Sequence, residues 1–146
     1  MRALVDSDVP VAVIVGNEAQ SADSLLVLKD AINGRFEAMA TPLIMANVMY
    51  VLRRKWRLSR PTTWKADIAE VMTRMLGTFT LIPVDERDFL AAFSSAFSDH
   101  EDGVQHFAAL RSRKVDLIIT CNVKHFAKSA LPVSSPGEFH RSLPEP

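Results

Sequence analysis

Apolar residues fall into short runs separated by longer stretches with helical spacing. The first run, Arg2-Ala3-Leu4-Val5, reads as a buried strand that stops on Asp6-Ser7-Asp8. Val9 to Val15 is apolar throughout, and its periodicity fits a second strand or a short helix. Asn17 to Ser21 is polar and reads as a loop. Ser21 is then the N-cap of a helix over about 22–32, with Leu25, Leu28 and Ile32 on one stripe and Asn33-Gly34 closing it. Glu37 to Ala40 predicts a short strand. Thr41-Pro42 opens the next helix, with Thr as cap and Pro at the first position. That helix carries Leu43, Ala46, Asn47, Tyr50 and Val51 at helical spacing and turns basic from Arg53.

Ser59-Arg60-Pro61 interrupts the chain. Thr62 or Thr63 caps a further helix bearing Ile68, Val71, Met72 and Met75, which Gly77 should stop. Phe79 to Val84 predicts a strand, and Asp85 a helix start running to about Phe97. Asp99 caps another helix, with Val104, Phe107, Ala108 and Leu110 inward. Val115 to Thr120 is the most hydrophobic strand, and it stops on Cys121-Asn122. Leu131-Pro132-Val133 fits a final edge strand, and Pro136 to Phe139 a last helical turn. Strands alternating with helices predict a mainly parallel sheet covered by helices.

In such a sheet, residues at the carboxyl ends of strands gather at one edge, where ligands bind. Asp6, Asp8, Asp99 and Asp102 can therefore converge. Clustered carboxylates repel unless a cation sits among them, and hard oxygen ligands suit Mg²⁺ or Mn²⁺. The chain has 146 residues, enough for one domain over 1–142 with a frayed tail at 143–146. With 17 basic and 17 acidic residues, the composition itself gives no electrostatic sign of nucleic-acid binding. Distribution matters more, because Arg53, Arg54, Lys55, Arg57 and Arg60 fall within eight residues. The single cysteine, Cys121, excludes an internal disulfide and a Cys-cluster zinc site. The opening segment has charges inside its apolar stretch and does not read as a signal peptide. The cytoplasm is the expected location.

The motifs, in order, are Leu4-Val5-Asp6-Ser7-Asp8-Val9, Asn47 to Lys55, Leu81 to Asp85, Asp99-His100-Glu101-Asp102-Gly103-Val104-Gln105, Ile118 to Phe126 and Pro132 to Phe139. This succession resembles a PIN domain over nearly the whole chain. It is most similar to the bacterial branch of toxin–antitoxin toxins related to VapC. The resemblance implies a three-layer α/β/α sandwich and a metal-dependent endoribonuclease whose acidic residues hold Mg²⁺ or Mn²⁺. It implies an RNA substrate, an antitoxin protein and a second copy of the chain as partners. Asp6 matches the family's first metal-site aspartate, and Asp102 the aspartate opening the helix before the fourth strand. Asp99 is the accompanying acid of that motif, and Asn122 sits in the family's Thr-x-Asn segment. The chain departs from the pattern at three places. Asn47 stands where many PIN nucleases have Glu, although the toxin branch often carries Asn. His125 stands where Asp is usual, and Asp8 where Asn is usual. The first two remove negative charge and predict weaker metal affinity, which Asp8 partly offsets.

Hydrolysis of a phosphodiester needs an activated water and relief of charge on the phosphate, which a divalent ion supplies. Asn122 can donate to a phosphate oxygen or orient a water. His125 can replace an oxygen ligand or move a proton. Each residue also has an ordinary reading. Asp6 suits a turn, Asp8 and Asp99 suit helix caps, and Asp102 suits the positive end of a helix dipole. Asn47 suits a structural hydrogen bond, and Arg53, Arg54 and Arg57 a solvated helix end rather than an RNA or partner contact. Two other functions compete. A PIN domain that has lost cleavage and only binds RNA or a protein partner fits Asn47 and His125. A haloacid-dehalogenase-type phosphatase fits Asp6-x-Asp8, but it needs a later acidic pair. Beyond Thr120 the only acids are Glu138 and Glu145.

Overall fold

The computed structural model describes residues 1–16 and 18–145. The elements are β1 (Arg2–Val5), α1 (Asp8–Val15), α2 (Glu18–Ile32), β2 (Glu37–Ala40), α3 (Pro42–Ser59) and α4 (Trp64–Thr78). They continue with β3 (Thr80–Leu81), α5 (Glu86–Phe93), α6 (His100–Ser112), β4 (Leu117–Ile119), a 3-10 turn at Val123–Phe126, β5 (Val133–Ser134) and α7 (Pro136–Ser142). The five strands form one parallel sheet in the order β3-β2-β1-β4-β5. Helices flank it in the expected α/β/α arrangement. β1 is central, pairing Leu4 with Met39 of β2 and with Ile118 of β4. Such strands are covered on both faces, which is why they read as unbroken apolar runs. Ala3, Leu4, Val5, Met39, Ile118 and Ile119 are buried accordingly.

Several elements differ from the sequence expectation. The apolar run after Asp8 is a helix, α1. Of the loop expected at Asn17 to Ser21, Asn17 lies outside the described residues and α2 already begins at Glu18, which puts Ser21 inside the helix. Thr41 caps α3 as expected, its hydroxyl accepting from the Ile44 N–H at 3.1 Å. The buried row of α3 is Ile44, Met45, Val48, Leu52 and Trp56, while Tyr50 is exposed. The aliphatic row spaced by four residues outcompetes the mixed row through Ala46 and Tyr50, because it removes more apolar surface from water. Gly77 does not stop α4, which runs to Thr78. The strand expected over 79–84 pairs only at Thr80–Leu81, and Pro83, without an N–H, cannot continue the ladder. α5 ends at Phe93, and Ser95 then bonds the Ala92 carbonyl and the Phe97 N–H. Leu143, expected in a frayed tail, is buried, and Arg35 donates to the Pro144 carbonyl. Among the described residues, no single helix is long and apolar enough to cross a membrane.

Candidate functional site

Parallel pairing places the C-terminal ends of β1 and β4 side by side. Asp6 follows β1, its N–H bonded to the Ile119 carbonyl at 2.9 Å, and Thr120 follows β4. The Asp6 carboxylate is buried, with 6% of the residue exposed. One of its oxygens accepts from the Ser7 N–H at 2.7 Å and the other lies 3.0 Å from the Thr120 hydroxyl. Asp8 is the first residue of α1 rather than its cap. Its carboxylate reaches across to the end of β4, where it accepts from the Cys121 N–H at 3.0 Å and the Asn122 side-chain amide at 3.3 Å. It also lies 3.0 Å from the Thr120 hydroxyl. That hydroxyl accepts from the Asn122 N–H as well. It has one proton to donate and two carboxylates to serve. The pair is therefore short of positive charge or of a proton.

The opening of α6 supplies a second group of acids. Asp99 caps the helix through one oxygen, which accepts from the Glu101 N–H at 2.9 Å and the Asp102 N–H at 3.3 Å. Asp102 is half-buried, and one of its oxygens lies 3.1 Å from Nδ1 of His125 in the 3-10 turn. One ligand atom each from Asp99, Asp102 and His125 lie within 4.8 Å of one another. Gly103 lets α6 sit close to α5. A Cβ there would stand 3.1 Å from that of Ala92 and 3.3 Å from that of Phe97.

Electrostatics join the two groups. Burial, then Asp8, then Asp102 push the Asp6 carboxyl up to about 8. Burial and Asp99 push Asp102 up to about 6 against the opposing effect of His125. Burial also raises Asp8, opposed chiefly by the Cys121 N–H and the Thr120 hydroxyl. Cys121, half-buried with its Sγ 3.6 Å from the Ser24 hydroxyl, is pushed to about 11 by burial and the nearby Asp8. It is a thiol, not a thiolate nucleophile. Carboxylates raised by burial and by one another are the arrangement that a divalent cation relieves. The donor set, hard carboxylate oxygens with one imidazole, fits such an ion.

The structure thus gathers Asp6, Asp8 and Asn122 around Thr120, and Asp99, Asp102 and His125 at the start of α6, with Asp102 near enough to Asp6 to raise its carboxyl. No side-chain hydrogen bond links Asn47, half-buried on α3, to them or to any other described residue. The basic run divides. Lys55 donates to the Val15 carbonyl at the end of α1, and Arg60 stacks 4.4 Å over Trp56 and pairs with Asp67. Arg53, Arg54 and Arg57 instead line an open groove of about 360 Å³ with Tyr50 and Leu58. The sequence reading gave no role to the Thr120 hydroxyl between two carboxylates. Its position at a strand end, two residues before Asn122, was the available signal.

A PIN domain family model matches residues 2–124. No curated protein matches the chain in sequence. Solved structures share the fold at low identity. VapBC2 from Rickettsia felis, bound to a DNA fragment from their promoter, aligns with a TM-score of 0.64 at 12% identity over 92% of this chain and 98% of that one. VapBC-1 from nontypeable Haemophilus influenzae aligns with a TM-score of 0.64 at 11% identity over 93% and 98%. Mycobacterium tuberculosis VapC20, described as a sarcin-ricin loop cleaving toxin, aligns with a TM-score of 0.56 at 12% identity over 80% and 86%. The family model spans most of the chain, and the solved structures share its parallel sheet with flanking helices, so the chain belongs to the PIN domain family.

Proposed function

We propose that the protein is a divalent-metal-dependent endoribonuclease, the toxin component of a toxin–antitoxin pair. The observation that carries this reading is the group of Asp99, Asp102 and His125, whose ligand atoms lie within 4.8 Å of one another, with Asp102 near enough to the buried Asp6 to raise its carboxyl and no cationic side chain hydrogen-bonded to Asp6 among the described residues. Asp6, Asp99, Asp102 and His125 hold Mg²⁺ or Mn²⁺. The ion, when bound, lowers the pKa of a coordinated water and offsets charge on the phosphate. Asp8, whose oxygens already receive donors from Thr120, Cys121 and Asn122, orders the loop and adds negative charge at the ion's side. Asn122 keeps its backbone N–H on Thr120 and presents its amide toward a phosphate oxygen. Burial of Asp6 excludes water from the inner face of the site and strengthens every charge interaction there.

Two features support the partners. Arg53, Arg54, Arg57 and Tyr50 combine guanidinium groups with an exposed ring, a surface that suits RNA phosphates and bases or an acidic partner. A neighbouring groove of about 420 Å³, lined by Ala46, Met49, Tyr50, Arg53, Trp64, Lys65 and Ile68, is apolar with a basic rim. It suits an amphipathic acidic segment of an antitoxin. The VapBC assemblies of similar fold are the reason to expect one. A second copy of the chain is a further proposed partner, with the exposed Phe89, Leu90 and Phe93 of α5 as its apolar contact.

The test is cleavage of RNA by the purified chain with Mg²⁺ or Mn²⁺, with and without a chelator. Cleavage that survives the chelator, or that is unchanged in both Asp6→Asn and Asp102→Asn, rejects the metal mechanism. The second reading, RNA or partner binding without cleavage, is favoured by the amide at Asn47 and the imidazole at His125, where carboxylates would add charge. RNA binding without metal-stimulated cleavage decides for it.

A further inference from the structure

Gln105 is 1% exposed, and both its side-chain oxygen and its side-chain nitrogen lack a hydrogen-bond partner among the described residues. The other buried polar side chains nearby are paired. His106, one residue on, has Nδ1 3.2 Å from the Ser129 hydroxyl, and Asp88 is bonded by Arg111. An amide buried with neither end paired is costly, and an aliphatic residue of the same shape would avoid the cost. Such an orphan calls for a further partner, and a buried amide of this kind usually holds an ordered water.

Its place on α6 says where that water goes. Gln105 lies three residues after Asp102, on the same side of the helix. Side chains of helical residues lean toward the helix N-terminus, over the preceding turn. The amide is therefore carried toward the turn that holds Asp102 and away from the apolar C-terminal half of α6. Asp102 engages His125 through one oxygen, and its other oxygen has no partner among the described residues.

We propose that Gln105 is a positioning residue of the acidic edge: its amide holds a buried water that it shares with the second oxygen of Asp102. The water donates to that oxygen and to the Gln105 carbonyl oxygen, or accepts from the amide nitrogen. Asp102 is then oriented from beneath by Gln105 and from the side by His125. This rests on the proposed metal site, because orienting Asp102 matters only if Asp102 binds the ion. Partners behind a metal ligand are worth about 10- to 100-fold in affinity.

The experiment titrates Mn²⁺ into metal-free protein, following the free-ion electron paramagnetic resonance signal, for wild type, Asp6→Asn, Gln105→Leu and Gln105→Met. Thermal melts of the metal-free proteins run alongside. Wild type should bind Mn²⁺ and Asp6→Asn should not. Gln105→Leu and Gln105→Met should melt at the same or a higher temperature, yet bind Mn²⁺ about tenfold more weakly. A purely structural glutamine would leave Mn²⁺ affinity unchanged whatever the melt. Mn²⁺ affinity equal to wild type in whichever of the two variants folds overturns the proposal alone. Wild type that fails to bind Mn²⁺ overturns both this proposal and the metal site. A high-resolution crystal structure of the metal-free protein supplies a readout independent of metal. It should show an ordered water within hydrogen-bond distance of the Gln105 amide and Asp102, and a dry amide there overturns the proposal.

Discussion

Two clusters of buried acid in this protein have been solved in opposite ways. At the start of α5, Asp88 is 2% exposed and receives both the Nε and the Nη2 of Arg111, at 2.8 and 2.7 Å. Burial works to raise its pKa, but the Arg111 hydrogen bonds, the Asp85 N–H and the Arg111 charge outweigh it and hold the carboxyl below its usual value. Asp85 caps the same helix in a reciprocal capping box with Asp88, beside Arg87 and Arg111. At the C-terminal edge of the sheet, Asp6 is almost as buried, yet its partners are a backbone N–H and a shared hydroxyl, and its carboxyl rises to about 8. The same chain that gives one buried aspartate a bidentate guanidinium gives the other more carboxylates. A buried pair is satisfied within the fold, whereas the unpaired cluster is completed only by something from outside it.

The largest effect expected of this contrast is on metal binding. Asp6→Asn and Asp102→Asn should each weaken Mn²⁺ binding and metal-stimulated RNA cleavage by more than about 100-fold, since a lost ligand outweighs a lost supporting contact. Asp88→Asn should leave both within about twofold, because its carboxylate is neutralised by Arg111 and stands apart from the site. Calorimetric titration with Mn²⁺ separates them. If Asp88→Asn weakens Mn²⁺ binding as much as Asp6→Asn does, the division between a structural and a functional cluster fails.

The two clusters should also respond to pH with opposite sign. The folded Asp6 carboxyl titrates at about 8, above its ordinary 3.8, so the metal-free fold holds a proton that the unfolded chain has released. Its contribution to stability is complete below about pH 4 and is lost as pH rises to about 8, at up to about 1.4 kcal/mol per pH unit. The carboxyl of Asp88 is lowered, so its contribution is present above the ordinary carboxylate range and is lost as pH falls through the folded value. Urea unfolding between pH 5 and 8 should therefore show stability falling with pH in wild type. The fall should be much flatter in Asp6→Asn, and in the presence of saturating Mn²⁺. An unchanged slope in Asp6→Asn would remove Asp6 as its source.

Breaking the internal pair tests the other half. Arg111→Met leaves the buried Asp88 carboxylate beside an apolar chain and should lower the denaturant midpoint of unfolding. The double variant Arg111→Met with Asp88→Leu should recover most of that loss. Denaturant midpoints measure both. A midpoint shift no larger than that of Arg74→Met, which breaks the exposed Arg74–Glu70 pair, would mean that the Arg111 pair behaves as a surface salt bridge.

How much of this could be read in the sequence follows from the range of each interaction. Strand ends and helix starts are local signals, so Asp6, Asp99, Asp102 and Asn122 were placed at the right edge of the right sheet. The run after Asp8 was undecidable because every residue from Val9 to Val15 is apolar, which erases the difference between periods of 2 and 3.6. The α3 stripe was misplaced by about one residue, since Leu43, Asn47 and Val51 have the same helical spacing as the more apolar row Ile44, Val48 and Leu52 beside them. The links between Asp8 and Thr120 span 112 residues, and local pattern carries no trace of them. Nor could the pattern show that Arg60 is bound to Trp56 and Asp67 while Arg53, Arg54 and Arg57 stay on an open groove. Gln105 carries no local signal beyond a polar side chain in a helix, and only packing shows that it is buried.

The smallest effect expected, and the sharpest for the identity of the ion, concerns His125. Its imidazole stands 3.1 Å from Asp102 and counteracts the rise in that carboxyl's pKa. An imidazole is a borderline ligand that suits Mn²⁺ better than Mg²⁺, and it ligates only when unprotonated. A carboxylate in its place gives the hard oxygen that Mg²⁺ prefers and adds a negative charge beside Asp99 and Asp102. His125→Asp should therefore raise Mg²⁺ affinity by about tenfold, or about 1.4 kcal/mol, while Mn²⁺ affinity rises less. In the metal-free protein the added charge should push the Asp102 carboxyl above its present value of about 6, visible in a carboxyl NMR titration. His125→Ala should lower Mn²⁺ affinity and leave Mg²⁺ affinity nearly unchanged. If both variants bind the two ions as wild type does, His125 touches Asp102 without serving the ion. The external charge that the acidic edge calls for is then held by Asp6, Asp99 and Asp102 alone.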